Sequence, residues 1–88
     1  MSQNAPPHAY LTVEQAQRSL RDRFKNAAIE TYELDARILT GFAFGLDNVE
    51  LITQAARSVT EREYDILEKT CLARLEGKPV SRLSLIHI

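Results

Sequence analysis

The chain has 88 residues, 44% of them hydrophobic and 26% charged, with 11 basic against 12 acidic residues and a net charge of -1. That length holds one compact domain, and the composition excludes both a disordered chain and a membrane-embedded one. The near-neutral balance gives no electrostatic reason to expect nucleic acid or an anionic membrane as partner.

Residues 1–11, with Pro6 and Pro7, are expected to form a flexible polar leader without the apolar run of a signal peptide. Thr12 can cap a first helix, and Gln15, three residues on, can reach back in a capping box. Val13, Ala16, Leu20, Phe24 and Ala27 follow at spacings of three and four, while Arg18, Arg21, Asp22 and Lys25 take the wetter positions. The pattern predicts an amphipathic helix to about Ala28. A second helix is expected from Thr31, with Leu34, Ile38, Leu39, Phe42, Ala43 and Leu46 at helical spacing. Gly41 costs about 1 kcal/mol there relative to alanine, so close approach of a neighbouring helix is the expected reason for it. Gly45 suits the left-handed residue that ends such a helix.

Asp47 and Glu50 form another possible capping box, opening a short helix around residues 49–52, and residues 54–59 read as a connection. Thr60 and Glu63 then start a final helix whose expected buried face is Tyr64, Leu67, Cys71, Leu72 and Leu75. Gly77 and Pro79 end it. No alternating pattern predicts a strand before residue 79, and residues 80–88 are apolar enough to be extended. The expected fold is all-α, a small up-and-down bundle of about four helices over residues 12–79. Residues 80–88 would be the start of a linker or a non-native tail.

Chemistry-bearing residues are sparse. His8 and His87 lie near opposite ends of the chain, and the lone Cys71 sits on an apolar helix face, so neither a metal site nor a Cys–His nucleophile is expected. A single cysteine also forbids an intrachain disulfide and suits a cytoplasmic setting. The carboxylates Glu30, Glu33, Asp35, Asp47, Glu50, Glu61, Glu63, Asp65 and Glu68 match helix starts and wet helix faces. Gly41 and Gly45 lack the strand-to-helix context of a phosphate loop. Tyr10, Tyr32, Tyr64, Phe24, Phe42 and Phe44 are expected in the core, not as a stacking platform. No catalytic, cofactor-binding or metal-binding residue is assigned.

Residues 34–80 nevertheless carry a specific order. Leu34-Asp35-Ala36-Arg37-Ile38-Leu39 leads to Gly45-Leu46, a Thr60-initiated helix rich in Glu, Leu and Arg follows, and Glu76-Gly77-Lys78-Pro79-Val80 closes it. This order resembles the N-terminal domain of the release factor glutamine methyltransferases, the HemK/PrmC family, over roughly residues 12–82. The resemblance implies a domain that engages a peptide-chain release factor. In that family a separate Rossmann-like domain transfers a methyl group from S-adenosylmethionine to the glutamine amide nitrogen of a Gly-Gly-Gln motif. The family's Asn-Pro-Pro-Tyr tetrapeptide and glycine-rich cofactor loop do not occur here, so the chain alone is expected to be inactive and to hold no cofactor; separately, a monomer is expected.

After Pro79-Val80-Ser81-Arg82 the family pattern continues to a glycine and a phenylalanine, whereas this chain reads Leu83-Ser84-Leu85-Ile86-His87-Ile88. The natural frame is expected to be lost near Leu83; a genuine divergent terminus is the alternative. Arg37, Lys78 and Arg82 are candidate polar contacts because they lie within or beside the matched segments, with solvated surface positions as the plain alternative. The competing functional reading is a free-standing helical protein-interaction module. A helix-turn-helix DNA binder is disfavoured by the charge and by the lack of a basic recognition helix.

Overall fold

A computed structural model describes residues 11–79, and over them the backbone forms α1 (Val13–Asn26), α2 (Tyr32–Phe44), α3 (Asn48–Thr53) and α4 (Glu61–Leu75). The all-α expectation holds, and the one extended pairing among the described residues is an isolated antiparallel bridge between Thr12 and Ser58. Three helices start as their caps foretell. The Thr12, Asp47 and Thr60 side chains accept from the backbone N–H of Gln15, Glu50 and Glu63, and each of those side chains accepts from the cap's own N–H. Each box satisfies two donors that a helix start would otherwise leave bare. Thr31 begins α2 without a side-chain cap bond.

The longer helices share a way of stopping. At the end of α4 the Gly77 N–H donates to Arg74 O and the Lys78 N–H to Ala73 O, with Gly77 at φ 103°. At the end of α1 the Ala28 N–H donates to Lys25 O and the Ile29 N–H to Phe24 O, with Ala28 at φ 63°. Both are Schellman turns, in which a left-handed residue reverses the chain over the last carbonyls. In α1 an alanine holds the position that glycine fills elsewhere.

Helix α2 packs against α1, α3 and α4, so it sits at the centre of the bundle. Val13, Ala16, Leu20 and Phe24 of α1 are fully buried, as their spacing predicts; Ala27 is exposed because the helix ends at Asn26. The expected face of α2 needs correction. Its buried residues are Asp35, Ala36, Leu39, Thr40, Gly41, Ala43 and Phe44, while Leu34 and Ile38 stay 45% and 39% exposed. Ile38 stands about 100° from Leu39 around the helix, on the side where only the six-residue α3 is available as cover. In α4, Leu67, Thr70 and Cys71 are buried, but Leu72 and Leu75 are 52% and 37% exposed. Leu72 lies five residues past Leu67, about 140° around the helix, and so leaves the packed face.

Gly41 has a reason other than the one expected. A Cβ there would meet the carbonyl oxygen of Leu46 at 2.7 Å, whereas the nearest atom of α3, Leu51 Cδ1, would be at 3.6 Å. The close approach comes from the chain's own turn after α2, where the Leu46 N–H donates to Gly41 O at 2.9 Å.

Residues 54–59 are more than a connection. Arg57 O and Ala55 O accept the N–H groups of Val13 and Glu14 at 2.9 and 3.0 Å, satisfying two first-turn donors of α1. The Val59 N–H donates to Leu11 O at 3.0 Å, and Leu11 packs against the core, so the ordered unit includes Leu11. The rest of the proposed leader and residues 80–88 lie outside the described residues.

Candidate interaction surface

Charged side chains that looked like ordinary surface groups turn out to pin the helices. Asp35 lies in the first turn of α2, one of the helix starts expected for the carboxylates, but its side chain is 7% exposed and accepts from Arg74 Nε at 2.9 Å, joining α2 to α4. Arg23 Nη1 donates to Glu68 Oε2 at 2.8 Å and joins α1 to α4. Arg57 donates from both terminal nitrogens to Glu63, at 3.2 and 3.1 Å, and its guanidinium lies 5.9 Å from the centre of the Phe44 ring. Partial burial pushes the Glu63 carboxyl up, but hydrogen bonds from Arg57 and Thr60 outweigh this and hold it below its ordinary value of 4.5.

Cys71 is fully buried, and burial pushes its thiol above the ordinary range despite the opposing pull of Arg23. A raised thiol pKa leaves little nucleophilic thiolate, so Cys71 acts as a small core side chain. Among the described residues no group of three or more His, Cys, Asp or Glu side chains could hold a metal ion. The described residues contain no strand leading through a glycine-rich turn into a helix. No described helix is long and apolar enough to cross a membrane.

What the described surface does offer is a groove of about 600 Å³ between α1, α2 and α3. Leu34, Leu51, Ile52 and Ala55 supply apolar wall, and Arg18, Arg21 and Arg37 bring guanidinium groups to it. Of the candidate contacts, Arg37 borders this groove, whereas Lys78 is exposed beyond α4 and does not line it; Arg82 lies outside the described residues, as do His8, Tyr10 and His87. Sequence reasoning missed Leu34 and Ile52 as surface groups because their apolar character, taken alone, predicts burial.

The described residues thus form a small helical domain with an apolar, arginine-bordered groove on one side. The chain belongs to the PrmC N-terminal domain family, whose model matches residues 15–84. It is 44% identical over 77 residues to a release factor glutamine methyltransferase of Bradyrhizobium diazoefficiens, covering 88% of this chain and 26% of that protein. A second release factor glutamine methyltransferase, from Caulobacter vibrioides, is 29% identical over 73 residues, covering 83% and 25% respectively. The chain thus spans about a quarter of the length of the curated relatives it matches. No solved structure gives a significant match.

Proposed function

We propose that this domain engages a peptide-chain release factor on behalf of a methyltransferase. The enzyme would transfer a methyl group from S-adenosylmethionine to the glutamine amide nitrogen of a Gly-Gly-Gln motif. The observation that carries the reading is the 44% identity to a protein named for that activity, confined to about a quarter of its length. Binding of cofactor and chemistry are assigned, on this reading, to the remaining three quarters of such a protein. The domain's part is to hold the protein substrate so that its glutamine reaches the reacting centre in a fixed orientation, the positional contribution that makes a bimolecular transfer fast. The setting proposed is the cytoplasm, consistent with a single buried thiol, and the chain is proposed to act as a monomer.

Calorimetric titration tests this directly. Injecting a bacterial release factor into the 88-residue chain should give saturable heat, and injecting S-adenosylmethionine should give heats of dilution only. Micromolar binding of the cofactor, or no binding of the release factor, would contradict the proposal.

A further inference from the structure

Exposed apolar side chains cluster beside positive charge on one surface. Leu34 and Ile38, four residues apart on α2, are exposed, as is Ile52 of α3 at 78%. Leu34 and Ile52 line the groove described above, Ile38 lines a second hollow beside it, and Arg37 and Leu51 border both. The two hollows form one track with Arg37 at its middle. An apolar surface of this kind with a polar rim is the usual mark of a protein contact.

The charges along the track are unevenly used. Glu14 is engaged by Arg18 at 3.1 Å, and Arg21 leans on Asp22 at 3.6 Å. Asp47 and Glu50, at the far end, hold each other's backbone N–H groups in the α3 capping box. Glu33 is the carboxylate left along the groove, and Arg37 makes no ion pair or hydrogen bond among the described residues. Arg37, unpaired among the described residues, can take a carboxylate from outside in competition with Glu33 one turn before it, in the forked geometry that guanidinium groups favour.

We infer that this track docks a segment of the release factor in which apolar side chains flank an aspartate or glutamate, the carboxylate pairing with Arg37. The apolar residues of that segment lie over Leu34, Ile38 and Ile52. The inference rests on the release-factor reading and names its contact surface.

The test is an NMR titration of the isotopically labelled 88-residue chain with an unlabelled bacterial release factor, repeated on variants. Perturbations should centre on Leu34, Arg37, Ile38 and Ile52. Arg37→Glu should weaken binding about tenfold or more, as loss of a central arginine does, while Lys78→Glu, off the track, should change it less than about twofold. Ile52→Ser provides a second variant that removes no buried contact and should also weaken binding. Binding that perturbs the end of α4 instead, or that ignores Arg37→Glu and Ile52→Ser, overturns the track and leaves the release-factor reading standing. Absence of binding overturns both. Concentration-dependent broadening of the track residues without release factor shows a second copy seated there, and likewise overturns the inference.

Discussion

Single side chains decide more of this fold than their exposed-looking sequence positions suggest. Asp35 and Arg74 form a nearly buried pair between α2 and α4. Removing one partner strands the other's charge, so Asp35→Ala should lower stability by about 3 kcal/mol, read as a lower urea midpoint. A change below about 1 kcal/mol would show that the pair contributes nothing beyond its solvation. Thr40 gives the opposite case. Its hydroxyl is fully buried in α2 with no hydrogen-bond partner among the described residues. Thr40→Val keeps the shape and removes the stranded polar group, so it should be neutral or stabilising by about 1 kcal/mol in the same assay. Gly41→Ala should destabilise by about 1–3 kcal/mol despite alanine's better helix propensity, because the added methyl meets the Leu46 carbonyl 2.7 Å away. None of these three environments is visible in the sequence. A buried Asp, an unpaired Thr and a glycine pressed by its own turn all depend on which chain segment folds over them.

At the scale of elements, local signals were legible and tertiary ones were not. The Thr12, Asp47 and Thr60 boxes join residues three apart, so sequence contains everything that forms them. The faces of α2 and α4 depend on what packs against them, and there Leu34, Ile38, Leu72 and Leu75 turned outward. The end of α1 was hard to place because Ala28 takes a left-handed conformation that usually announces itself as glycine. Ala28→Gly should therefore raise stability by about 1 kcal/mol, measured by thermal or urea unfolding. The anchored loop of residues 54–59 is tied to α4 by Arg57 and Glu63. Glu63 is held below its ordinary value of 4.5, so the folded state binds the proton less tightly than the unfolded chain does. The stabilising contribution is present above about pH 4.5 and is lost as pH falls through the lower folded-state value. Glu63→Gln should lose stability at neutral pH by about 1–2 kcal/mol and show a shallower decline below that point. An equal acid decline in both chains would refute this assignment.

For the molecule as a whole, the candidate surface was only half legible. Arg37 stood out as a possible contact through the Leu-Asp-Ala-Arg segment, and it borders the groove. In the apolar half of that surface, Leu34 and Ile38 follow the helical apolar pattern and Ile52 falls in a short helix with no face assigned, because exposure of an aliphatic side chain leaves no mark in helical spacing. The result is a bundle centred on α2, with ion pairs joining its helices and an apolar, arginine-bearing track facing solvent. On the proposed reading the domain contributes binding of the release factor, which leads to a kinetic expectation. Added to a full-length release factor glutamine methyltransferase acting on its release factor, the 88-residue chain should sequester the substrate. The apparent KM for release factor should rise with chain concentration while kcat stays unchanged. Methylation that proceeds at the same rate with the chain in large excess would contradict the claim that this domain engages the release factor.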